Sequence, residues 1–142
     1  MSIWAREDLK LEEINSFNQN TLVEHLNIVI NEIGEDSLTG TMPVNSTTHQ
    51  PFGVLHGGAS CVLAESLGSI ASNLCVDNST HYCVGLEINA NHIRPATSGM
   101  VTGVAKLIHM GRTTHIWDIK ISNEDSKLVC ISRLTMAVVP RK

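Results

Sequence analysis

Three observations predict an α+β fold. Residues 57–75 form one long run of small and apolar residues at helical spacing. The second half of the chain changes to two-residue alternation in four stretches rich in β-branched residues. The N-terminal part carries short amphipathic patterns of helical type.

Each element follows in order. Leu9, Leu11, Ile14 and Phe17 recur at three-residue and helical spacing between Glu and Lys, a surface helix over about 7–17 with one apolar edge. A second short helix over about 20–27 carries Leu22, Val23 and Leu26. IVINEIGEDSLTGTMPV reads as two short strands around a Gly-Glu-Asp-Ser turn. Residues 46–56 are polar, contain Pro51 and Gly53, and read as a loop. Gly57 and Gly58 open the long helix, where Ala59, Val62, Leu63, Ser66, Ile70 and Leu74 recur at three and four. Its opposite side is also small or apolar, so burial on most faces is expected. YCVGLEINANHIRPA, GMVTGVAKLIHM, RTTHIWDIKIS and KLVCISRLTMAVV alternate, punctuated by Gly99, Gly111 and the SNEDSK turn at 122–127. Four consecutive strands of this kind predict an antiparallel meander. The long helix packs on that sheet, and residues 1–142 are expected to form a single domain.

Composition narrows the function classes. Of 142 residues, 42% are hydrophobic but only 4% aromatic, so the core must be aliphatic. The net charge of −4, with scattered Lys and Arg, is a poor match to a nucleic-acid backbone, so no nucleic-acid partner is expected. Cys61, Cys75, Cys83 and Cys130 form no C-x-x-C pair and read as buried free thiols. MSIWAREDLKLEE is charged, without an apolar signal core, and no stretch reaches the roughly 20 apolar residues of a membrane span. The expected location is cytoplasmic, with no membrane partner. His25, His49, His81 and His115 show no metal-ligand spacing, so no metal is expected.

The informative stretch is QPFGVLHGGASCVLAESLGS, residues 50–69. The first N–H groups of a helix starting at Gly57 or Gly58 lack intrahelical partners and carry the positive end of the macrodipole. A carbonyl oxygen gaining negative charge would be stabilised there, and two glycines leave its approach open. Glu65 lies about two turns further on, with Ser69 as its i+4 neighbour on the same face. Gln50 and His56 flank the entrance as neutral hydrogen-bonding groups. The plain alternative is a solvated Glu65 and a loop-capping His56. The neighbours Ala64, Ser66, Leu67 and Gly68 do not resemble a solvated face, which favours acyl transfer or proton abstraction without choosing between them. Cys61 lies one turn before Glu65, but no His has a defensible place beside it as a partner base.

QPFGVLHGGASCVLAES, followed by VGLEINANHIRPA and HMGRTTHIWDI, resembles the hotdog-fold acyl-CoA thioesterases. The likeness is to the PaaI-like, Arthrobacter-type 4-hydroxybenzoyl-CoA branch, which also holds the bacterial 1,4-dihydroxy-2-naphthoyl-CoA hydrolases, and runs from about Leu9 to Val139. Its specific motif is Gln, then Gly seven later, then Glu eight after that. The resemblance implies a hotdog fold, with an antiparallel sheet wrapped around the long helix. It implies that Glu65 is nucleophile or general base and that the Gly57 amide holds the thioester oxygen. Gln50 and His56 would orient the carbonyl or water, and Ser69 would position Glu65 or water. It further places Gly85, His92, Ile93, Arg94 and Pro95 along the CoA moiety, with His109, Met110, Gly111, Arg112, Thr113 and Thr114 along its nucleotide. Arg94 and Arg112 are apt phosphate ligands. The implied site forms between two subunits of a homo-oligomer, a dimer or dimer of dimers. Coenzyme A enters as part of the substrate and no separate cofactor is expected.

For His92 an ordinary strand-end role weighs as much as function, and the plain alternative for residues 109–114 is a hairpin. Trp117 reads as sheet packing. The small residues Gly68, Ser69 and Ser72 are expected to leave space near Glu65, which suits an aromatic or bulky acyl group. The competing functions are a hotdog hydratase or dehydratase and a non-catalytic acyl-CoA-binding module. The Gln50-Gly57-Glu65 spacing argues for hydrolysis.

Overall fold

The computed structural model describes all 142 residues. Its elements are α1 (Leu11–Ser16), α2 (Leu22–His25), β1 (Val29–Ile33), β2 (Ser37–Pro43), α3 (Gly57–Leu74), β3 (His81–His92), β4 (Met100–Met110), β5 (Thr114–Ser122) and β6 (Leu128–Pro140).

The two N-terminal helices are shorter than their sequence patterns. Lys10 offers α1 no capping side chain. Asn20 and Asn27, at φ 60° and 55°, bracket α2, and Asn adopts this left-handed conformation more readily than most residues. α1 is held by tertiary bonds instead. Asn15 Nδ2 donates to the Ile30 carbonyl at 2.9 Å, while its Oδ1 accepts the Ile30 N–H at 2.9 Å. One side chain thereby satisfies both polar groups of a residue on the edge strand β1.

The six strands form one antiparallel sheet in the order β1-β2-β4-β5-β6-β3. The meander therefore comprises β4, β5 and β6, not the four strands expected. β3 pairs with β6 at the far edge. Residues 93–99 carry the chain across the end of the sheet and are tied down on the way. Ile93 and Arg94 N–H groups donate to the Val129 carbonyl, the Ala96 carbonyl accepts from Leu55, and the Gly99 carbonyl accepts from Val44. β3 bulges between Gly85 and Glu87, which breaks its alternation, and leaves Val84 and Leu86 exposed.

α3 lies on the sheet with Leu63, Ala64, Leu67, Gly68, Ala71 and Ser72 fully or almost fully buried. The opposite face is only partly covered and Glu65 is exposed, so the helix is not buried all round. Close approach depends on glycines in the sheet. Gly40 and Gly103 are register partners on β2 and β4, and Leu67 seats over both. A Cβ at Gly103 would stand 2.7 Å from Leu67 Cδ1. Gly103→Val is expected to destabilise the fold by about 1–3 kcal/mol through overpacking. Denaturant unfolding checks this; an unchanged midpoint would show that α3 can shift without cost.

Gly68 and Ser72 face the sheet and do not open space near Glu65. A Cβ at Gly68 would overlap the Leu134 side chain. The Ser72 hydroxyl accepts from Trp117 Nε1 at 2.7 Å and lies 3.2 Å from His115 Nδ1, with all three side chains buried. Burial, with the His109 ring nearby, holds the His115 imidazole below the ordinary histidine pKa. The unfolded chain thus takes up the proton first. Stability is full above about pH 6.5 and falls as pH drops from there through the lower folded value. A His115→Asn variant is expected to lose that slope in unfolding measurements between pH 7.5 and 5.

The sheet curls about α3 in the hotdog arrangement that the resemblance implies. No helix is long and apolar enough to cross a membrane.

Candidate active site

The loop before α3 is shaped by its own hydrogen bonds. Gln50 N–H donates to the Val54 carbonyl, Gly53 N–H to the Gln50 carbonyl, and His56 N–H to the Thr48 carbonyl. Gly53 takes φ 77°, a value at home on glycine. Gln50 Oε1 accepts from the Phe52 N–H, so the Gln50 Nε2 amide remains as the donor.

His56 is the N-cap of α3. Its Nδ1 accepts the Gly58 N–H at 2.8 Å, which leaves the proton of the neutral ring on Nε2. The Ala59 and Ser60 N–H groups both donate to the His56 carbonyl. Of the first four amides of the helix, only that of Gly57 makes no hydrogen bond. This is a single unpaired donor at the positive end of an 18-residue helix. The His92 ring lies against it: a Cβ on Gly57 would stand 2.8 Å from His92 Nε2.

Glu65 sits elsewhere. Its carboxylate lies over β3 at Gly85, where a Cβ would stand 2.7 Å from Oε1. A groove of about 410 Å³ there is lined by Glu65, Ser66, Ser69, Val62 and Gly85, together with Leu22 and Val23 of α2. Ser69 shares this groove with Glu65, as the i+4 spacing predicts. Leu22 and Val23 were missed by the sequence argument, because no motif ties α2 to α3. Glu65 makes no ion pair within the chain. Burial and the neighbouring Glu65 carboxylate push the Cys61 thiol up, which keeps it protonated and a poor nucleophile.

The remaining residues divide between two ends of the sheet. Met110 pairs with His115, His115 with Met136, and Met136 with Gly85. The hairpin at 111–114, closed by the Gly111 N–H on the Thr114 carbonyl, is therefore on the Glu65 side. The His109 ring folds back on Gly111, while Met110, Arg112 and Thr113 are exposed. His92 pairs with Cys130, and Cys130 with Ile121, at the other end. Ile93, Arg94 and Pro95 continue from it, all exposed, and Arg94 Nη1 donates to the Leu128 carbonyl at 2.9 Å. One end thus holds Gln50, His56, Gly57 and residues 92–95; the other holds Glu65, Ser69, Gly85 and residues 109–114. From 57 to 65 the helix rises about 12 Å, and Gly85 to His92 along β3 is roughly 20 Å.

The thioesterase superfamily model matches residues 52–130. The 1,4-dihydroxy-2-naphthoyl-CoA hydrolase of Escherichia coli is 50% identical over 96% of this chain and 99% of its own. The proofreading thioesterase EntH of Cronobacter sakazakii is 46% identical over 96% of this chain and 98% of its own. Among solved structures, a mutant thioesterase from Pseudomonas aeruginosa superposes with a TM-score of 0.96 at 58% identity, over 99% of this chain and 100% of its own. The helix-in-sheet architecture and these likenesses agree, and the chain belongs to the hotdog-fold thioesterase superfamily, as a thioester hydrolase.

Proposed function

We propose that the protein hydrolyses acyl-CoA, favouring aromatic or bulky acyl groups, at sites each built from two chains. The separation of Gly57 from Glu65 carries this reading. A reacting carbonyl must lie about 3 Å from both its oxyanion donor and its attacking group. Residues 57 and 65 of one chain are separated by a rise of about 12 Å along α3. Gly57 lies against His92 while the Glu65 carboxylate lies against Gly85, at opposite ends of β3, so the two groups do not converge on one carbonyl. The 12-residue edge strand β3 offers the remedy. Its outer edge is unpaired, with Val84 and Leu86 exposed, which favours pairing with a second strand. Antiparallel pairing of two β3 strands about a twofold axis sets the Gly57 end of one chain against the Glu65 end of the other.

In that site the Gly57 N–H receives the thioester oxygen as it gains charge. The Gln50 amide and His56 Nε2–H are further donors on the same side. Glu65 either attacks the carbonyl carbon, giving a mixed anhydride and CoA thiolate, or takes the proton of an attacking water. Ser69 holds the carboxylate or the water. Arg94 of one chain and Arg112 of the other bind CoA phosphates; His92, Ile93, Pro95 and Gly85 line the thioester arm, and His109, Met110, Gly111, Thr113 and Thr114 the nucleotide. The names of the Escherichia coli and Cronobacter relatives support a CoA thioester and a thioesterase reaction. Four free cysteines fit a reducing, cytoplasmic setting.

CoA release from a panel of aromatic and aliphatic acyl-CoAs tests the function. Fast release, fastest with aroyl groups, is expected. Binding of acyl-CoA without release would reduce the protein to a binding module, and a preference for medium-chain acyl groups would overturn the aromatic assignment.

A further inference from the structure

The sheet has two outer edges, and an asparagine closes part of each. On β1, Asn15 bonds both backbone groups of Ile30. On β3, Asn73 of α3 does the same for Cys83. Its Oδ1 accepts the Cys83 N–H at 2.9 Å, and its Nδ2 donates to the Cys83 carbonyl at 3.1 Å. His81, at the start of the strand, already donates its N–H to the Asp77 carbonyl. A second strand therefore finds no free partners on β3 as far as Cys83. At the other end Ile93 turns its N–H to the Val129 carbonyl of β6, so the open edge stops at His92.

These two fixed points set the phase of the backbone between them. Along a strand, backbone groups point alternately to one neighbour and to the other. Cys83 points away from β6, so Gly85 does too. Ile93 points toward β6, so His92, Ala90 and Ile88 point away. The bulge between Gly85 and Glu87 holds the one extra residue, Leu86, that reconciles the two counts. The open edge is thus Gly85, Ile88, Ala90 and His92. Two copies of it, antiparallel about a twofold axis, pair completely in one register only. Gly85 then meets the partner's His92, Ile88 meets the partner's Ala90, and the axis passes through Asn89. A slip of two residues one way sets Cys83, held by Asn73, against the partner's His92. The same slip the other way leaves Gly85 without a partner. In the complete register Gly85, under the Glu65 carboxylate, faces the partner's His92, whose counterpart in each chain lies against Gly57. Edge hydrogen bonding and convergence of the site select the same register from independent observations.

We infer that Asn73 is a positioning residue: by closing β3 at Cys83 it sets the register in which two copies of this chain pair, and so brings Glu65 of one chain to Gly57 of the other. This rests on the two-chain reading above and adds to it the residue that aligns the two halves. A slip of two residues displaces the halves by about 6.7 Å, whereas a misplacement of about 1 Å can already cost about 100-fold in rate.

Engineered cysteines read the register directly. Asn89 is exposed and, on the axis, faces its own copy as a pair without mutual backbone bonds. The Cα atoms of such a pair lie about 4.5 Å apart, within disulfide range. Asn89→Cys should give an active covalent dimer on mild oxidation with oxidised glutathione. Glu87→Cys, opposite the partner's Asn91, should give none. Asn73→Ala should lower the Asn89→Cys cross-link and kcat together by roughly tenfold, the scale of the two hydrogen bonds to Cys83, with KM and the dimer retained. Asn73→Asp keeps the acceptor for the Cys83 N–H and should fall between. Cross-linking at Glu87→Cys in place of Asn89→Cys would put the axis elsewhere and overturn the inference, even if Asn73→Ala failed to fold. A fall in kcat with undiminished cross-linking would make Asn73 merely structural and overturn it too. An active monomer would bring down the two-chain reading, and this inference with it. Cross-linking at Asn89→Cys without CoA release from any acyl-CoA would leave the register standing and bring down the thioesterase reading instead.

Discussion

Glu65→Ala lowers kcat/KM for acyl-CoA hydrolysis by about three orders of magnitude and leaves the fold intact. The size follows from removing a group that forms or breaks a bond in the reaction, on top of which residual rate comes only from binding and the Gly57 amide. Folding survives because Glu65 is exposed in the chain and its carboxylate makes no ion pair, and surface changes of that kind stay within about 0.5 kcal/mol. CoA release and thermal unfolding on the same preparation check both halves. Glu65→Gln keeps the shape and removes the charge, so it should be as inactive as the alanine variant. Turnover by either variant at the wild-type rate would eliminate Glu65 from the chemistry. A single turnover in oxygen-labelled water then separates the two roles of the carboxylate: label inside Glu65 marks the anhydride route, and its absence leaves Glu65 as a base.

Much of this was legible in the residues. The i+4 spacing put Ser69 beside Glu65, and both line one groove. The change of period located the four strands of the second half, the Gly-Glu-Asp-Ser turn marked the two before them, and the glycine pair located the start of α3. Pairing across the sheet was less accessible. Alternation says that a segment is a strand but not which strand lies next to it, so β3 was placed in a meander although it pairs with β6. That one placement matters, since it exposes the β3 edge. The facing of small helical residues was also hidden. Gly68, Ser69 and Ser72 look equivalent in sequence, yet Leu134 fills the space at Gly68 and Trp117 bonds Ser72. Gly85 gave no local signal for its contact with Glu65, because the contact joins residues from different elements.

The two-chain site predicts that two inactive variants restore each other. Gln50 lies at the Gly57 end of a chain and Glu65 at the opposite end. Suppose each site takes Gln50 and Gly57 from one protomer and Glu65 from the other. Mixing Gln50→Ala with Glu65→Ala chains, after dissociation and reassembly, then gives heterodimers with one fully native site and one doubly altered site. Random pairing makes half of all dimers mixed, so activity should recover to roughly a quarter of wild type from a baseline near zero. If each chain instead held its own complete site, every site in the mixture would carry one lesion, and no recovery could occur. The outcome depends only on where the residues sit, and not on whether Glu65 acts as nucleophile or base. It also does not depend on the acyl group, since any substrate turned over by wild type will report it. Recovery would fix the β3 edge as the seam of the active enzyme. Its absence, with mixed dimers demonstrated, would require Gly57 and Glu65 to act on different parts of the substrate.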